Sequence, residues 1–302
     1  MSTDFKTAVA LGSFDGLHKG HISVITCALS FKERGFVPLV LLFDKHPLLS
    51  LTGKAPAELL QVEERNRILS ELGTQIKVIS FDSVRNLPCR DFVKNILVDE
   101  LKAGAVCCGW NFRFGKNNAG GCEELQKLCD EFGLELCVSD HIDVDGQPVS
   151  SSRIRRAIVD GNIRLANAML GRDFGYKYTV VTGSQRGHLM GAPTINQYFG
   201  ENFIIPKSGV YASYSIVNGK NYPSVTNIGL RPSFENEDLR SETCIIGFSG
   251  NLYGKEIEVR LLEFIRPERK FESSDELRRQ IALDAKKSEE IFKKKEANGN
   301  VR

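Results

Sequence analysis

The sequence predicts two domains, an N-terminal α/β domain built on a doubly wound parallel sheet and a C-terminal antiparallel β-barrel that ends in a helix. The chain has 302 residues, which is about two domains' worth. Short apolar runs alternate with helical patterns as far as about residue 170. From there to about residue 265 only β-like runs follow, and a helical stripe closes the chain. We place the domains at residues 1–172 and 173–302.

Composition and charge argue against several classes of protein. Hydrophobic residues make up 41% of the chain and charged residues 26%, as in globular proteins and unlike disordered chains. No apolar run approaches the roughly 20 residues of a membrane span, and the polar N-terminus does not resemble a secretory signal. Lys and Arg exceed Asp and Glu by only 40 − 38 = 2, so broad electrostatic binding is not indicated. We therefore expect a cytoplasmic protein with no nucleic-acid or membrane partner; its oligomeric state stays open.

Eight cysteines raise the question of a metal site. Six of them fall between Cys89 and Cys137, and clustered thiolates suit zinc or an iron–sulfur cluster. However, the sequence has no Cys-x-x-Cys pair, and the spacings match no common ligand pattern. We interpret the cysteines as free, mostly buried thiols of a reducing compartment.

The first 43 residues predict a strand–helix–strand unit. Thr7 to Leu11 is short, apolar and β-like, and a glycine-rich stretch from Ser13 to Gly20 follows it. Apolar residues then recur at helical spacing until Gly35 supplies a stop. Val37 to Phe43 is the next strand, so the unit has parallel strands joined by a right-handed crossover.

The same alternation continues to the end of the first domain. Helices are expected near residues 62–72, 90–100, 123–132 and 153–160, and strands near residues 77–81, 105–109 and 134–138. In the second half, the β-like runs are residues 178–182, 210–217, 222–227, 242–248 and 256–264. At the end, Ser273 and Glu276 form a capping box before an amphipathic helix that we expect to fray beyond Phe292.

The loop after the first strand, residues 12–21 (GSFDGLHKGH), is the first candidate site. In an open parallel sheet, ligands bind at the carboxyl ends of strands, and the N-terminus of the following helix offers free N–H groups to an anion. His18 and His21, three apart around Gly20, can face that anion together. Two imidazoles and a helix dipole suit a triphosphate being cleaved, because charge grows on the leaving pyrophosphate. Two incidental surface histidines would be the alternative, which so specific a context disfavours.

A serine run lies before the helix expected at residues 153–160. The hydroxyls of Ser150, Ser151 and Ser152 and the free N–H groups of that helix converge on one point. Arg155 adds a planar cation suited to phosphate. Taken alone, the run is also an ordinary helix N-cap.

A second glycine-rich stretch opens the β-rich half. Its glycines are Gly183, Gly187 and Gly191. Their N–H groups could wrap phosphate, although a simple barrel turn has the same composition. Thr194 and Asn196 alternate on an extended segment, so their oxygens point to the same side and could hold Mg²⁺ bound to a nucleotide.

The first loop resembles the HxGH signature of the nucleotidyltransferase superfamily, and in the extended form GxFDGxHxGH it resembles the bifunctional riboflavin kinase/FAD synthetases of bacteria. Other segments of the first half agree with that family. Residues 43–47 resemble its FDPHP stretch, with Lys45 where Pro is usual. Residues 109–115 resemble its GxNFxFG stretch, and residues 149–155 its SSTxIR motif.

The second half resembles the riboflavin kinases of the same family. Residues 193–196 resemble the PTAN motif. Further matches are residues 208–211, 227–234, 251–255 and 266–268. The family usually has Arg at the position of His188 and Thr at that of Ser233. The resemblance spans the chain from about residue 8 to about residue 290.

The resemblance implies a Rossmann-like HxGH nucleotidyltransferase domain at residues 1–172 and a riboflavin kinase barrel at residues 173–302. The barrel would transfer the γ-phosphate of ATP to riboflavin, giving FMN. The N-terminal domain would join FMN to AMP from a second ATP, giving FAD and pyrophosphate. Both steps would need Mg²⁺, which bridges phosphate oxygens and offsets developing charge.

The resemblance also implies roles for individual residues. His18 and His21 would bind the ATP phosphates during adenylyl transfer, and Glu242 would take the proton from the riboflavin hydroxyl. The other nucleotide-binding residues of the adenylyltransferase would be Gly12, Phe14, Asp15, Gly16, Asn111, Ser150, Ser151 and Arg155. Those of the kinase would be Gly183, Gly187, Gly191, Pro193, Thr194 and Asn196, with Thr194 and Asn196 also holding Mg²⁺. Without the resemblance, Glu242 could equally be an exposed residue at a strand end.

Two other functions remain open. One is an enzyme with a single working site, in which a departure such as Lys45 or His188 has disabled the other. The second is a non-enzymatic flavin-binding protein on the same scaffold. A class I aminoacyl-tRNA synthetase also carries a histidine signature, but this chain is short, nearly neutral and without a Lys-rich second signature.

The departure at position 188 gives a first testable prediction. An imidazole is mostly neutral near pH 7, unlike the Arg that is usual there. We expect His188→Arg to lower the KM for ATP in riboflavin phosphorylation, because it restores a permanent cation near the phosphates. Adenylyl transfer should not change. Steady-state kinetics of the two half-reactions check this, and an unaltered KM for ATP would mean that position 188 does not meet phosphate.

Overall fold

The computed structural model describes residues 6–181, 194–232 and 237–299, with side chains left undescribed from residue 230 to residue 238. The chain divides into two compact units, Met1–Ser151 and Ser152–Arg302. Within the described ranges, no helix is long and apolar enough to cross a membrane.

The first unit contains a five-stranded parallel sheet in the order β3-β2-β1-β4-β5. Its strands are β1 (Thr7–Leu11), β2 (Val37–Phe43), β3 (Gln75–Ile79), β4 (Ala103–Gly109) and β5 (Glu135–Ser139). Its helices are α1 (Lys19–Ser30), α2 (Pro47–Thr52), α3 (Val62–Glu71), α4 (Phe81–Val84), α5 (Cys89–Asp91), which continues as a π-helix over Phe92–Glu100, and α6 (Cys122–Phe132). A short hairpin of β6 (Asp143–Val144) and β7 (Gln147–Pro148) follows β5.

Helices cover both faces of this sheet, and β1 shows the alternation that this requires. Ala8 and Ala10 belong to the core that α1 and α3 cover, whereas Val9 and Leu11 belong to the core under α6 and the π-helix. A strand buried on both faces is mainly apolar, as β1 is from Ala8 to Leu11. The small side chains of Ala8 and Ala10 allow α1 to lie close against the strand that precedes it.

The second unit is a six-stranded antiparallel sheet in the order β8-β13-β10-β11-β12-β9. Its strands are β8 (Gly175–Thr179), β9 (Thr194–Tyr198), β10 (Gly209–Val217), β11 (Lys220–Pro232), β12 (Glu237–Ile245) and β13 (Glu256–Arg266). The N–H of Val181, just beyond β8, donates to the carbonyl of Asn196 in β9 at 2.9 Å, which nearly closes the sheet into a barrel. The helices of this unit are α7 (Ser151–Val159), which begins on the last residue of the first unit, α8 (Ile163–Leu170) and α9 (Ser274–Ala297).

Hydroxyl groups fill part of the barrel interior. Ser213, Thr226 and Thr243, on three adjacent strands, are fully buried and linked by hydroxyl–hydroxyl distances of 2.8 Å. On α9, Ser288 accepts from the N–H of Ser213 and donates to the carbonyl of Ser224. Each of these four hydroxyls therefore has a hydrogen-bond partner, which offsets the cost of burying it.

The segment before β8 is bonded to the barrel. Asn167 of α8 accepts from the N–H of Phe174 at 2.7 Å and donates to the carbonyl of Leu261 at 2.9 Å. The buried carboxylate of Asp173 accepts from the hydroxyl of Tyr214 at 3.0 Å and pairs with Lys295 of α9. These bonds explain why the division between compact units falls before α7, earlier than the predicted 172/173 boundary, which stays a prediction.

The predicted fold class is confirmed, and the differences in detail have local causes. The sequence pattern gave no helix after Gly161, but the side chain of Asn162 accepts from the N–H of Leu165 and caps α8. The strand predicted at residues 77–81 ends earlier because α4 begins at Phe81. The predicted N-cap of α9 is present, with Ser273 accepting from the N–H of Glu276 at 3.2 Å, whereas the Glu276 carboxylate accepts from the N–H of Glu272 at 3.1 Å rather than from that of Ser273. The helix α9 extends past Phe292 to Ala297.

These contacts predict how truncated chains behave. We expect residues 152–302 to fold, whereas residues 177–302 lose Asp173, the buried side chains of Phe174 and Tyr176, and the first half of β8. Because deleting one large buried side chain already costs about 3–5 kcal/mol, the shorter fragment should unfold at a markedly lower denaturant concentration. Circular dichroism during urea titration measures this. Equal unfolding midpoints would mean that the segment before residue 177 adds nothing to the barrel.

Candidate active sites

The first candidate site lies where the strand order of the parallel sheet reverses. β1 pairs with β2 on one side and with β4 on the other. Its last residue, Leu11, is paired with Leu41 of β2 and with Cys108 of β4. The helices that follow, α1 after β1 and α6 after β4, pack on opposite faces. The loops after β1 and β4 therefore diverge and leave a crevice at the carboxyl edge, the usual ligand position in such sheets.

The loop from β1 to α1 has an unusual backbone that buried side chains hold in place. Phe14, Gly16 and Leu17 have positive φ values of 49°, 78° and 40°. For Phe and Leu this conformation is strained, but both side chains are fully buried. Asp15 accepts from the N–H of Leu59 at 3.3 Å, which fixes the loop from the other side.

His18 and His21 meet at the N-terminus of α1. His18 is the N-cap, and its Nδ1 accepts from the N–H of His21 at 3.3 Å. The two rings stack with centroids 3.6 Å apart and an interplanar angle of 15°. His18 is only 6% exposed. A Cβ on Gly20 would lie 3.3 Å from the His18 ring, so the small residue between the histidines makes room for the stack.

Gly12 and Asn111 border the same edge. The ring of Phe14 lies over Gly12, where a Cβ would be 3.3 Å from Cζ. Asn111 follows β4, and its Oδ1 lies beside Gly109, 3.6 Å from where a Cβ would be. That Cβ position is also 3.8 Å from Val24 of α1, so Asn111 stands close to the helix that carries the histidines.

The serine run reaches the histidine loop through one bond. Ser151, the first residue of α7, donates to the carbonyl of Asp15 at 3.0 Å. Ser150 immediately precedes it and is half-buried. Arg155 lies further along α7, within the second compact unit. The structure thus brings Ser151 to the loop of His18 and His21.

Lys45, which stands where the family usually has Pro, forms an ion pair with a neighbouring carboxylate. Its Nζ lies 2.6 Å from the Asp82 carboxylate, and this hydrogen bond raises the pKa of Lys45. Asp44 accepts from the N–H of Phe81 at 3.0 Å, which lowers the pKa of its carboxyl. His46 caps α2 by accepting from the N–H of Leu48 at 3.2 Å. The segment is held by its own local contacts.

The second candidate site is a row of polar side chains across three adjacent strands of the barrel. Asn196 of β9 is paired directly with Glu242 of β12, which is paired directly with Asn227 of β11. Directly paired residues project from the same face of a sheet. Asn196 is only 6% exposed, and within the described residues its buried Oδ1 has no hydrogen-bond partner. Thr194 stands two residues before it, opposite Cys244.

Charged neighbours surround this row. Arg240 lies 3.4 Å from the carboxylate of Glu242, and their side chains are 15% and 22% exposed. Asn227 donates to Glu268 at 2.8 Å. A Cβ on Gly229 would lie 2.5 Å from the same Glu268 carboxylate, so only glycine permits this approach. The sequence analysis missed Arg240, although its spacing of two from Glu242 on a strand could have indicated the same face.

The rest of the second predicted site lies outside the described residues. This applies to Gly183, Gly187, Gly191 and Pro193, and also to the two departures from the family, His188 and Ser233.

The cysteines are eight free thiols, four buried and four half-buried. Burial raises the pKa of Cys129 to about 11, and burial together with a hydrogen bond to Cys137 raises that of Cys27 to about 12. Across the described ranges, no group of three or more His, Cys, Asp or Glu side chains could hold a metal ion. The raised pKa values keep Cys27 and Cys129 neutral and poorly reactive.

Two family models match the chain. The FAD synthetase model matches residues 1–153, and the riboflavin kinase (flavokinase) model matches residues 170–292. Together they cover the first compact unit and most of the second.

Two similar proteins and one solved structure match nearly the whole length of this chain. A Listeria monocytogenes protein named bifunctional riboflavin kinase/FMN adenylyltransferase is 35% identical, over 97% of this chain and 95% of its own. An Escherichia coli K12 protein of the same name is 34% identical, over 94% and 92%. A solved structure described as a macrolide-efflux protein from Streptococcus pneumoniae superposes with a TM-score of 0.87 at 27% identity, covering 96% of this chain and 95% of that one.

The histidine loop gives a prediction with a matched control. Gly16 and Gly35 both have positive φ, 78° and 83°, but a Cβ on Gly16 would lie 2.9 Å from Leu59, whereas one on Gly35 would meet nothing within 4 Å. Either alanine costs about 1–2 kcal/mol of backbone strain. We expect Gly16→Ala to lower the thermal midpoint more than Gly35→Ala, because Leu59 must also move. Calorimetry compares them, and equal losses would mean that the loop adapts without disturbing its packing.

Proposed function

The chain belongs to the family of bifunctional riboflavin kinases/FMN adenylyltransferases, and we propose that its two reactions run at the two sites described above. It phosphorylates riboflavin to FMN with ATP, and it joins FMN to AMP from a second ATP, giving FAD and pyrophosphate. We assign adenylyl transfer to residues 1–172 and the kinase reaction to residues 173–302. The stacked pair of His18 and His21 at the start of α1 is the observation that carries this assignment most directly.

In adenylyl transfer, a phosphate oxygen of FMN attacks the α-phosphorus of ATP, and the bond to the β-phosphate oxygen breaks. Negative charge then grows on the departing pyrophosphate. With Nδ1 of His18 accepting from the N–H of His21, the proton of a neutral His18 ring sits on Nε2, where it can donate to a phosphate oxygen. The N–H groups at the start of α1 stabilise the same charge.

We propose nucleotide-binding roles for the other residues of the histidine loop from their positions between β1 and α1. Gly12, Phe14, Asp15 and Gly16 shape the turn that the phosphates meet, and Ser151 joins α7 to that turn through the carbonyl of Asp15. We propose that Asn111, Ser150 and Arg155 complete the nucleotide site, as the resemblance implies.

In the kinase reaction, the riboflavin hydroxyl attacks the γ-phosphorus of ATP, and the bond to the β-phosphate oxygen breaks. We propose that Glu242 accepts the hydroxyl proton as this happens. The ion pair with Arg240 orients the carboxylate, and the row from Asn196 to Asn227 places it among polar groups on one face of the sheet.

Magnesium is the cofactor that we propose for both reactions, and the kinase row fits it. The buried Oδ1 of Asn196 lacks a donor within the described part of the chain, which suits an oxygen ligand of a hard cation, and Thr194 supplies a second oxygen two residues earlier. Magnesium bound to the ATP phosphates would supply charge neutralisation there.

We also propose that the protein works in the cytoplasm. Eight free thiols and no described disulfide are typical of proteins from a reducing compartment. A non-enzymatic flavin carrier would need neither the stacked histidines nor the polar row around Glu242, because it cleaves no phosphate bond. A single working site would require that Lys45 or His188 disables one of the reactions; the charge of Lys45 is paired with Asp82, and His188 lies outside the described residues.

One pair of variants tests the two-site assignment. Losing an electrostatic donor in the transition state typically costs about 10²–10³ in kcat, and losing a general base about 10²–10⁴. Given riboflavin and ATP, the His21→Ala variant should therefore accumulate FMN and stop. The Glu242→Ala variant should leave riboflavin untouched but still convert supplied FMN to FAD. Chromatography of the flavins measures both outcomes.

Each variant is the control for the other, because the unaffected reaction reports the amount of folded enzyme. Glu242→Gln is a further control that keeps the size of the side chain but removes its negative charge, and with it both the capacity to accept the proton and the ion pair with Arg240. If His21→Ala blocks FMN formation, or if Glu242→Ala blocks FAD formation from FMN, the two-site assignment is wrong.

A further inference from the structure

Trp110 is an exposed aromatic residue that neither the hydrophobic core nor the proposed reactions account for. It is the single tryptophan of the chain, and it follows β4 directly, one residue before Asn111. Its side chain is 51% exposed. The structure therefore leaves a large apolar surface open at the carboxyl edge of the sheet.

The indole is nevertheless held in place from one side. Its ring lies edge to face with His141, with centroids 5.8 Å apart and an interplanar angle of 67°. His141 in turn lies 3.6 Å from the carboxylate of Asp143, and the backbone N–H of Trp110 donates to the carbonyl of Ser139 at 2.9 Å. Contacts from the end of β5 therefore fix a ring whose remaining surface stays open.

The position of this open surface is specific. The loops after β1 and β4 border the crevice at the reversal of strand order, with the histidine pair on the first loop and Trp110 on the second. A ligand whose phosphates meet the start of α1 would bring its remaining atoms along this edge. Aromatic side chains offer such ligands a stacking surface, because heteroaromatic rings pack well on an indole face.

We propose that Trp110 stacks on the fused heteroaromatic ring of a substrate bound for adenylyl transfer, and so determines affinity at this site. The proposal rests on the proposed function, since it takes the crevice beside His18 and His21 as the adenylyl-transfer site. The purine of ATP and the isoalloxazine of FMN share the required chemistry. The experiment distinguishes between them.

The kinetic test compares Trp110→Leu with Trp110→Phe in the full-length chain, following FAD formation while ATP and FMN are varied separately. Stacking on one ring is worth about 5- to 150-fold in binding. Trp110→Leu should therefore raise the KM of one substrate by this factor, with kcat changed less than about twofold, because the contact is equal in ground and transition states. Trp110→Phe should recover most of the loss.

Controls within the same enzyme separate stacking from misfolding. Riboflavin phosphorylation should be unaffected in every variant and reports the amount of folded chain. Val78→Ala is a control at a second exposed apolar side chain, which is also 51% exposed. Val78 lies on β3, an outer strand that two strands separate from β4, so this variant should leave both KM values unchanged. Equal losses in the Leu and Phe variants would indicate only local packing and would overturn the proposal.

Spectroscopy identifies the ring directly, because the chain has no other tryptophan. A non-hydrolysable ATP analogue with Mg²⁺ should quench the emission of Trp110 if the purine stacks on it. If the isoalloxazine stacks instead, FMN should give a long-wavelength charge-transfer absorption band that is lost in Trp110→Leu. The absence of both signals would overturn the proposal.

Failure of the stacking proposal differs from failure of the site. If His21→Ala abolishes FAD formation but Trp110→Leu leaves both KM values within about twofold, the site stands and the stacking proposal is wrong. If His21→Ala still makes FAD at the normal rate, the crevice itself has been assigned wrongly.

Discussion

The parallel pairing of β1 with both β2 and β4 is the constraint on which the first site depends. It brings the carboxyl ends of the two central strands to one edge, and it sends the loops after β1 and β4 to opposite faces. Ala8 and Ala10 allow α1 to pack closely behind this edge. The N-terminus of α1, with His18 and His21, consequently lies where an anionic ligand can reach free N–H groups and imidazoles together.

Strand register has the corresponding role in the barrel. Asn196, Glu242 and Asn227 share a face only because β9, β12 and β11 pair without a shift at these residues. A slip of one residue would turn one of these side chains to the other face. The backbone of Asn196 also takes part in the bridge to Val181 that nearly closes the barrel, so the same residue links the closure of the sheet to the polar row.

The sequence predicted the order of elements well, because alternation and helical spacing are local properties of the chain. It also predicted that His18 and His21 face one point, since their spacing around Gly20 already implies this. The features that it missed depend on side-chain contacts. Alternation along β12 could have placed Arg240 and Glu242 on one face, but their ion pair appears only in the structure. The exposure of Trp110 depends on how the ends of β4 and β5, which are distant in sequence, are packed.

The hydroxyl network of the barrel has a thermodynamic consequence. Exposing apolar groups on unfolding raises the heat capacity of the chain, whereas exposing polar groups lowers it. The buried hydroxyls of Ser213, Thr226 and Thr243 therefore make the heat-capacity increment of the second unit smaller than it would be with apolar side chains in their places. A smaller increment flattens the dependence of stability on temperature, so these hydroxyls make the stability of the barrel more even between cold and warm conditions.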